Sequence, residues 1–259
     1  MVQGAVRAAE ALNYDLVVMM LGESTAPDLS VMTRMSVGAL LIQPGLDGRG
    51  LRGELSAHTV SVDGPGERQL MVDNYGGALK ALRHLSELGH TRIGLISGLN
   101  SEPLLSEPGQ PEVQARDDAT ERLKAYRDFM RASALGIPEG CVQHGDYSKA
   151  SGEAATHRLL ALNAPPTAVF VAGDAMALGA VHAAQDRGLT VPRDLSVVGF
   201  GDLPVAAALR PGLSTMRQPL ELMGEAAVGL LVALAEGRTP EWPRPFATQL
   251  IERESTTRP

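Results

Sequence analysis

The sequence predicts an α/β protein of two lobes, each a parallel sheet covered by helices, and three observations predict it. Short apolar runs alternate with helix-length segments along the chain, as expected of strands joined by helical crossovers. Aromatic residues make up only 3% of the chain, so Leu, Val, Ile, Ala and Met must build the core, a composition that suits helices on parallel strands better than a β-sandwich. With 259 residues, two half-size lobes fill more readily than one undivided sheet.

The elements follow in order. Val2, Ala5, Val6, Ala9 and Leu12 share a helical face, and Asn13 provides a stop. Leu16–Leu21 reads as a strand buried on both faces, and Pro27-Asp28 opens a helix carrying Leu29, Met32 and Met35. Gly38–Ile42 and Thr59–Val62 are strands. A helix over Tyr75–Leu88 places Ala78, Leu79, Leu82 and Leu85 on one side and ends at Gly89, where a left-handed cap is usual. Arg92–Ile96 is a strand, and the Pro-, Glu-, Gly- and Ser-rich stretch Asn100–Asp118 reads as a loop. Then come a helix over Ala119–Ala134, a strand at Val142–Gly145, a helix over Lys149–Leu162 and a strand at Ala168–Val171. A helix over Ala175–Arg187, closed by Gly188, and a strand at Leu195–Phe200 complete the series.

Charge and cysteine usage narrow the function classes. The formal net charge is −7, and Lys and Arg are scattered singly, so this stretch has no basic stripe with which to hold nucleic acid by itself. Cys141 is the single cysteine, which excludes an internal disulfide and fits a reducing cytoplasm. Met1–Leu12 lacks the blocks of an export signal, and no apolar run is long enough to span a bilayer. The chain reads as a cytoplasmic protein.

Signals of chemistry are missing. Gly94-Leu95-Ile96-Ser97-Gly98 has the wrong spacing for a nucleophile elbow. No Walker loop is present, and Gly64-Pro65-Gly66 lacks the third glycine of a dinucleotide fingerprint. The six histidines show no paired metal spacing. His84 and His90 flank a helix end and read as surface or capping residues, and Cys141 reads as core. The expectation is a binding protein with no catalytic residue, metal or cofactor.

Five phrases in order resemble the LacI/GalR family of bacterial regulators: Val72-Asp73-Asn74-Tyr75-Gly76-Gly77 leading to Leu88-Gly89-His90-Thr91-Arg92-Ile93; Gly145-Asp146-Tyr147-Ser148 with Gly152; Pro166–Phe170 running through Asp174–Ala180; Gly188–Phe200; and Pro211–Thr215 onward to Gln218-Pro219, Met223-Gly224 and Arg253–Thr256. Most of these residues also have ordinary structural work, Asp174 as a helix N-cap among them.

The resemblance implies two Rossmann-like lobes of the type I periplasmic-binding-protein fold. Three crossovers near Asp73/Asn74, Arg217/Gln218 and Thr248 would join them, giving lobes of residues 1–73 plus 218–247 and 74–217 plus 248–259. It implies a small-molecule effector, a sugar or sugar derivative, held between the lobes at the carboxyl ends of the strands. It also implies a homodimer that meets operator DNA through an N-terminal helix-turn-helix. Met1 falls inside the first core helix of the pattern, so that segment and the first strand of the N-terminal lobe are expected to be missing from this stretch.

Residue by residue, the resemblance implies ligand contacts at Asp63, Asp73, Arg122, Tyr147, Gly173, Gly201 and Asp202. Asp63 either accepts from a ligand or caps the Gly64-Pro65 turn, and Asp73 either lines the cleft or tethers the hinge. Arg122 matches an effector-contacting arginine, the competing role being a solvated helix residue, and Arg122→Ala is expected to weaken binding with the fold intact. Tyr147 matches an aromatic that stacks on the ligand, with core packing as its competitor. Relatives often carry a polar contact at the position of Gly173. They carry an acidic pair where this chain has Gly201-Asp202, and a one-residue step at a strand end redirects the side chain, which puts a plain pyranose in doubt. The acidic 99–118 loop, with Glu102, Glu107, Glu112, Asp117 and Asp118, either adds contacts at the cleft mouth or is a surface excursion.

Overall fold

The structure is a computed structural model that describes residues 1–18, 36, 38–42, 58–62, 68–98 and 118–259. It divides into two compact units, one of Met1–Val72 and Pro219–Phe246, the other of Asp73–Gln218 and Ala247–Pro259.

In the first unit, α1 (Val2–Ala11) precedes β1 (Ala39–Ile42), β2 (Thr59–Val62) and β3 (Gln69–Leu70), which pair in that order and all in parallel. The helix Leu220–Ala235, α7 in chain order, packs along α1. Two glycines permit this approach. A Cβ on Gly4 would lie 2.0 Å from the Glu221 carbonyl oxygen, and one on Gly224 would lie 2.3 Å from that of Met1. Ala5, Ala9, Val228 and Val232 fill the seam, so small residues bring the backbones together and branched ones exclude water.

The expected strand Leu16–Leu21 lies partly outside the described residues, and its described part corrects the expectation. Leu16–Val18 is not strand, and Val17 and Val18 are 78% and 61% exposed. Among the described residues no strand of the β1-β2-β3 sheet pairs with Leu16–Val18, and without a ladder an apolar stretch is not held as a strand. The expected helix from Pro27 and residue Asp63 lie outside the described residues.

The second unit holds α2 (Asn74–Glu87), β4 (Ile93–Ser97), α3 (Asp118–Ala132), β5 (Val142–His144), α4 (Lys149–Leu160), β6 (Ala168–Val171), α5 (Asp174–Asp186), β7 (Ser196–Gly201), α6 (Pro204–Ala208), β8 (Ser214–Arg217) and β9 (Gln249–Ile251). Its sheet runs β5-β4-β6-β7-β8-β9, parallel except for β9. Every residue of β4, β6 and β7 is buried, as expected for strands covered by helices on both faces. The boundaries of α2 and α5 follow from Gly89 and Gly188, both at positive φ.

Helices α4 and α5 meet through Gly152 and Gly179. A Cβ on either would lie 2.1 Å from a backbone oxygen of the other helix, that of Met176 or Lys149. Beneath them, Ala155, Leu159, Val169, Val171, Met176, Ala180 and Val197 form the main apolar core.

The C-terminal tail corrects the reading of two histidines. His84 and His90 are neither surface nor capping groups; both are buried under residues 255–257. His90 Nδ1 meets Thr167 Oγ1 at 2.9 Å and Nε2 meets the Thr257 carbonyl at 2.8 Å, while His84 Nε2 meets Thr256 Oγ1 at 3.0 Å. Ser255 Oγ donates to the Val197 carbonyl and accepts from Ser214 N–H. Buried ring nitrogens need partners; the tail supplies them to His84 Nε2 and His90 Nε2, and Thr167 supplies His90 Nδ1. Cys141 is buried, as the sequence predicts, and burial pushes its thiol up.

Two predictions follow from this packing. Gly179→Ala should lower the unfolding free energy by about 1–3 kcal/mol, the usual cost of overpacking, measured by urea denaturation. Burial holds His90 below its ordinary pKa of 6.5, outweighing its bond to the Thr257 carbonyl, with His84 lowering it further. The neutral ring is therefore the native form, and its contribution is complete above the unfolded pKa and lost as pH falls through the folded one. Melting curves at neutral and mildly acid pH should show that loss, and His90→Gln should flatten it.

Candidate functional site

In the second unit the connection leaving β4 runs to β5 on one side, and the connection leaving β6 runs to β7 on the other. The carboxyl ends of β4 and β6 therefore flank a topological switch point, where open α/β sheets leave a crevice for ligands. The residues gathered there are Gly98 after β4, Ala172 and Gly173 after β6, Tyr147 after β5, and the first turns of α2 and α3.

Arg122 is the centre of this group. It lies one turn into α3 and is 3% exposed. Its Nε and Nη2 donate to Asn74 Oδ1 at 3.1 and 2.9 Å, and Nη1 donates to the Ala172 carbonyl at 2.5 Å. Nη2 also pairs with Asp118 Oδ2 at 3.1 Å, an i,i+4 contact. The guanidinium carbon sits 3.9 Å from the ring centroid of Phe200, a desolvated cation–π contact. The alternative of a solvated helix arginine is thereby corrected: a buried cation must be paired, and this one holds α2, α3, β6 and β7 together.

Local sequence explains the partners. Asp118 and Glu121 in the first turn of α3 complement the helix dipole, so Asp118 is helical and not the end of a loop. Asp73 caps α2 by accepting from Gly76 N–H at 2.8 Å, which fixes the turn presenting Asn74. With its oxygen engaged by Arg122, the Asn74 side chain turns its Nδ2 into the buried cluster, where that donor has no partner among the described residues. Thr248 Oγ1 is the other buried atom in this state, close to where a Gly77 Cβ would stand.

Tyr147 completes the group. Its backbone has φ +66°, a conformation that a bulky residue adopts at a cost of about 1–3 kcal/mol and that clusters at functional sites. The turn is braced by Asp146, which accepts from Ser148 N–H at 2.9 Å, and by Ser148, which caps α4 through Ser151 N–H. Hydrogen bonds from Ser148 and Ser151 hold the Asp146 carboxyl down at about 2. The Tyr147 hydroxyl donates to Asp118 Oδ2 at 2.8 Å. Its ring passes between two glycines: a Cβ on Gly98 would lie 2.1 Å from Oη, and one on Gly173 would lie 3.1 Å from Cδ1. The space that a polar side chain at 173 would need is filled by this ring.

Gly201 and Asp202 sit in a neighbouring network. Gly201 has φ +138°, and a Cβ there would lie 3.2 Å from Asp174 Oδ2. Asp174 does not cap α5 as expected. That cap position belongs to Gly173, and the Asp174 carboxylate instead accepts from Thr215 Oγ1 at 2.6 Å and Leu203 N–H at 2.7 Å. Burial raises its pKa despite those bonds, and a second carboxylate at 201 would face one already desolvated. Asp202 pairs with Arg217 at 2.6 Å and Arg253 at 2.7 Å. Burial pushes its carboxyl up, but the two arginines outweigh that and hold it low. It shares no bond with the Arg122 group.

Of the seven residues singled out in the sequence, the structure thus brings together Arg122, Tyr147 and Gly173, sets Asp73 beneath them as a cap, places Gly201 and Asp202 in the adjacent network, and leaves Asp63 outside the described residues. Asn74 and Phe200 were not among the ligand contacts expected, and Asp118 was named only within the acidic loop that either adds contacts or is a surface excursion. The i,i+4 spacing of Asp118 and Arg122 was the available signal; nothing in the sequence pairs Phe200 with Arg122.

The family model for the periplasmic binding protein-like domain matches residues 82–256. The chain belongs to this family. Its relatives place it in the LacI/GalR group. It is 39% identical over 177 residues, 68% of this chain and 48% of the relative, to the transcriptional regulator MalR of Streptomyces coelicolor. Among solved structures it is similar to the regulator CelR in complex with cellobiose, with 30% identity, a TM-score of 0.80 and coverage of 98% of this chain and 77% of that one. It is also similar to a LacI-family regulatory protein from Chloroflexus aggregans, with 28% identity, a TM-score of 0.79 and coverage of 98% and 90%. The chain spans about half the length of the curated relatives it matches. No described helix is long and apolar enough to cross a membrane.

Arg122→Ala, first expected to spare the fold, should instead destabilise it. Loss of the guanidinium leaves the Asn74 and Ala172 oxygens without their donors, at about 1–3 kcal/mol for a buried polar group left unsatisfied, to be read as a drop in the urea midpoint of the unliganded protein.

Proposed function

We propose that this chain is the small-molecule-sensing core of a LacI-type transcriptional regulator, and that it binds without catalysis. The observation that carries the reading is the Arg122–Asn74–Asp118–Tyr147 group at the switch point: a flat aromatic face beside fixed donors and acceptors. Such a surface suits a hydroxyl-bearing ring, whose apolar face stacks while its hydroxyls bond at the edge. The relatives named as transcriptional regulators, one of them in complex with cellobiose, support this over a solitary sugar-binding protein serving transport.

A ligand that binds one conformation better shifts the population toward it, with a coupling on the order of 1–3 kcal/mol. In this reading the working unit is a cytoplasmic homodimer that reaches operator DNA through a segment other than the one described here. Asp73, Gly173, Gly201 and Asp202, all of the second unit, complete the proposed ligand surroundings.

Calorimetric titration with maltose and cellobiose, backed by a thermal-shift screen of sugars and nucleobases, tests it. A saturating effector should raise the unfolding free energy by about 2.7 kcal/mol at a hundred times Kd. Tyr147→Ala should weaken binding about tenfold, the loss of roughly 1.4 kcal/mol of stacking. A folded protein that answers no member of the screen would end the sensing role.

A further inference from the structure

Asp118 stands where a ligand would be expected. Its Oδ2 lies 3.1 Å from Arg122 Nη2 and accepts the Tyr147 hydroxyl at 2.8 Å, so one carboxylate oxygen bridges the cation and the aromatic. The Arg122 donors can be counted. Among the described residues, Nε–H and one hydrogen of Nη2 are taken by Asn74 Oδ1 and one of the two on Nη1 by the Ala172 carbonyl, while Asp118 Oδ2 stands 3.1 Å from Nη2 as an ion pair. A guanidinium recognises phosphate or carboxylate through two parallel N–H groups on one edge. Among the described residues, no edge of Arg122 presents two such groups clear of the Asp118 carboxylate or the Asn74 oxygen.

We infer that Asp118 makes this site selective for neutral, hydroxyl-bearing ligands by occupying the anion-binding edge of Arg122. The inference rests on the sensing role proposed above and sharpens it to a charge class. An incoming phosphate or carboxylate meets a guanidinium already paired with a fixed negative charge; desolvation strengthens that repulsion. A hydroxyl group meets the opposite situation. The Arg122 ion pair and the Tyr147 hydrogen bond both fall on Oδ2, and the side chain is 29% exposed, so among the described residues Oδ1 is left to accept a ligand O–H. An acceptor for hydroxyl hydrogens is what a polyol uses, and a carboxylate oxygen repels an anion.

The test replaces the carboxylate while retaining its shape, Asp118→Asn, with Asp118→Ser as a second variant and circular dichroism to confirm folding. Inorganic phosphate is the charge probe, and maltose and cellobiose with their 6-phosphates are the ligand probes. Wild type should show no melting shift in millimolar phosphate and no binding of the phosphorylated sugars. The variants should gain a phosphate-dependent melting shift that added sodium chloride suppresses, and should bind the neutral sugar about tenfold more weakly, the scale of one charge-assisted hydrogen bond. Phosphate or sugar phosphate binding by wild type comparable to that of the variants would overturn the inference. So would folded variants with no response to phosphate. Silence of wild type toward all neutral sugars would count against the sensing role alone, because the phosphate arm reads the Arg122 edge without any effector.

Discussion

The second unit depends on one demand: a guanidinium buried at the switch point of a parallel sheet must have its charge and donors met by protein. A bare cation there would cost several kcal/mol, so the elements around Arg122 are placed by what they give it. The first turn of α2 contributes the Asn74 oxygen, the end of β6 a carbonyl, the first turn of α3 a carboxylate, and the end of β7 an aromatic face. Each is anchored from elsewhere. Asp73 caps the helix bearing Asn74, and Phe200 leans on Phe170 with ring centroids 6.4 Å apart. The same contacts that hold the crevice open in shape also set its electrostatics, so stability and specificity are coupled at this residue.

Close approach is the second theme. Backbones meet at Gly4 and Gly224 in the first unit and at Gly152 and Gly179 in the second, and the Tyr147 ring threads between Gly98 and Gly173. In a chain with so few aromatics, small residues let helices approach until Ala, Val and Leu side chains can fill the seams. At Tyr147 the same device is turned to another end. Two missing side chains and an unfavourable backbone angle are accepted so that one ring can stand at the mouth of the β4–β6 crevice.

The elements that were legible in the sequence are those with local grammar. The helices ending at Gly89 and Gly188 and the doubly buried strands at 93–97, 168–171 and 196–201 carry their signals within a dozen residues. Leu16–Val18 has an equally apolar pattern and is not strand, because an apolar run becomes a strand only where a neighbour offers its ladder, and that neighbour is not encoded nearby. The two histidines were misread for a related reason. Their partners, Thr256 and Thr257, lie more than 160 residues away, and periodicity carries no information about which distant segment will cover a helix end.

The site divides along the same line. Tyr147 was visible because it stands in a phrase shared with a family and Arg122 because it matches an effector-contacting arginine, yet what both do here depends on Asp118, which lies outside those phrases. Asp118 was read as the end of an acidic loop, and only as the first residue of α3 does it come one turn from Arg122 and within reach of Tyr147. Gly201 follows the same logic. Its substitution for an acidic residue makes sense once Asp174 is seen to turn away from the α5 cap and place a desolvated carboxylate alongside. An acid at 201 would crowd that carboxylate, whereas an acid at 118 is neutralised by Arg122. The carboxylate that meets Arg122 is thus carried at the start of α3 and not at position 201.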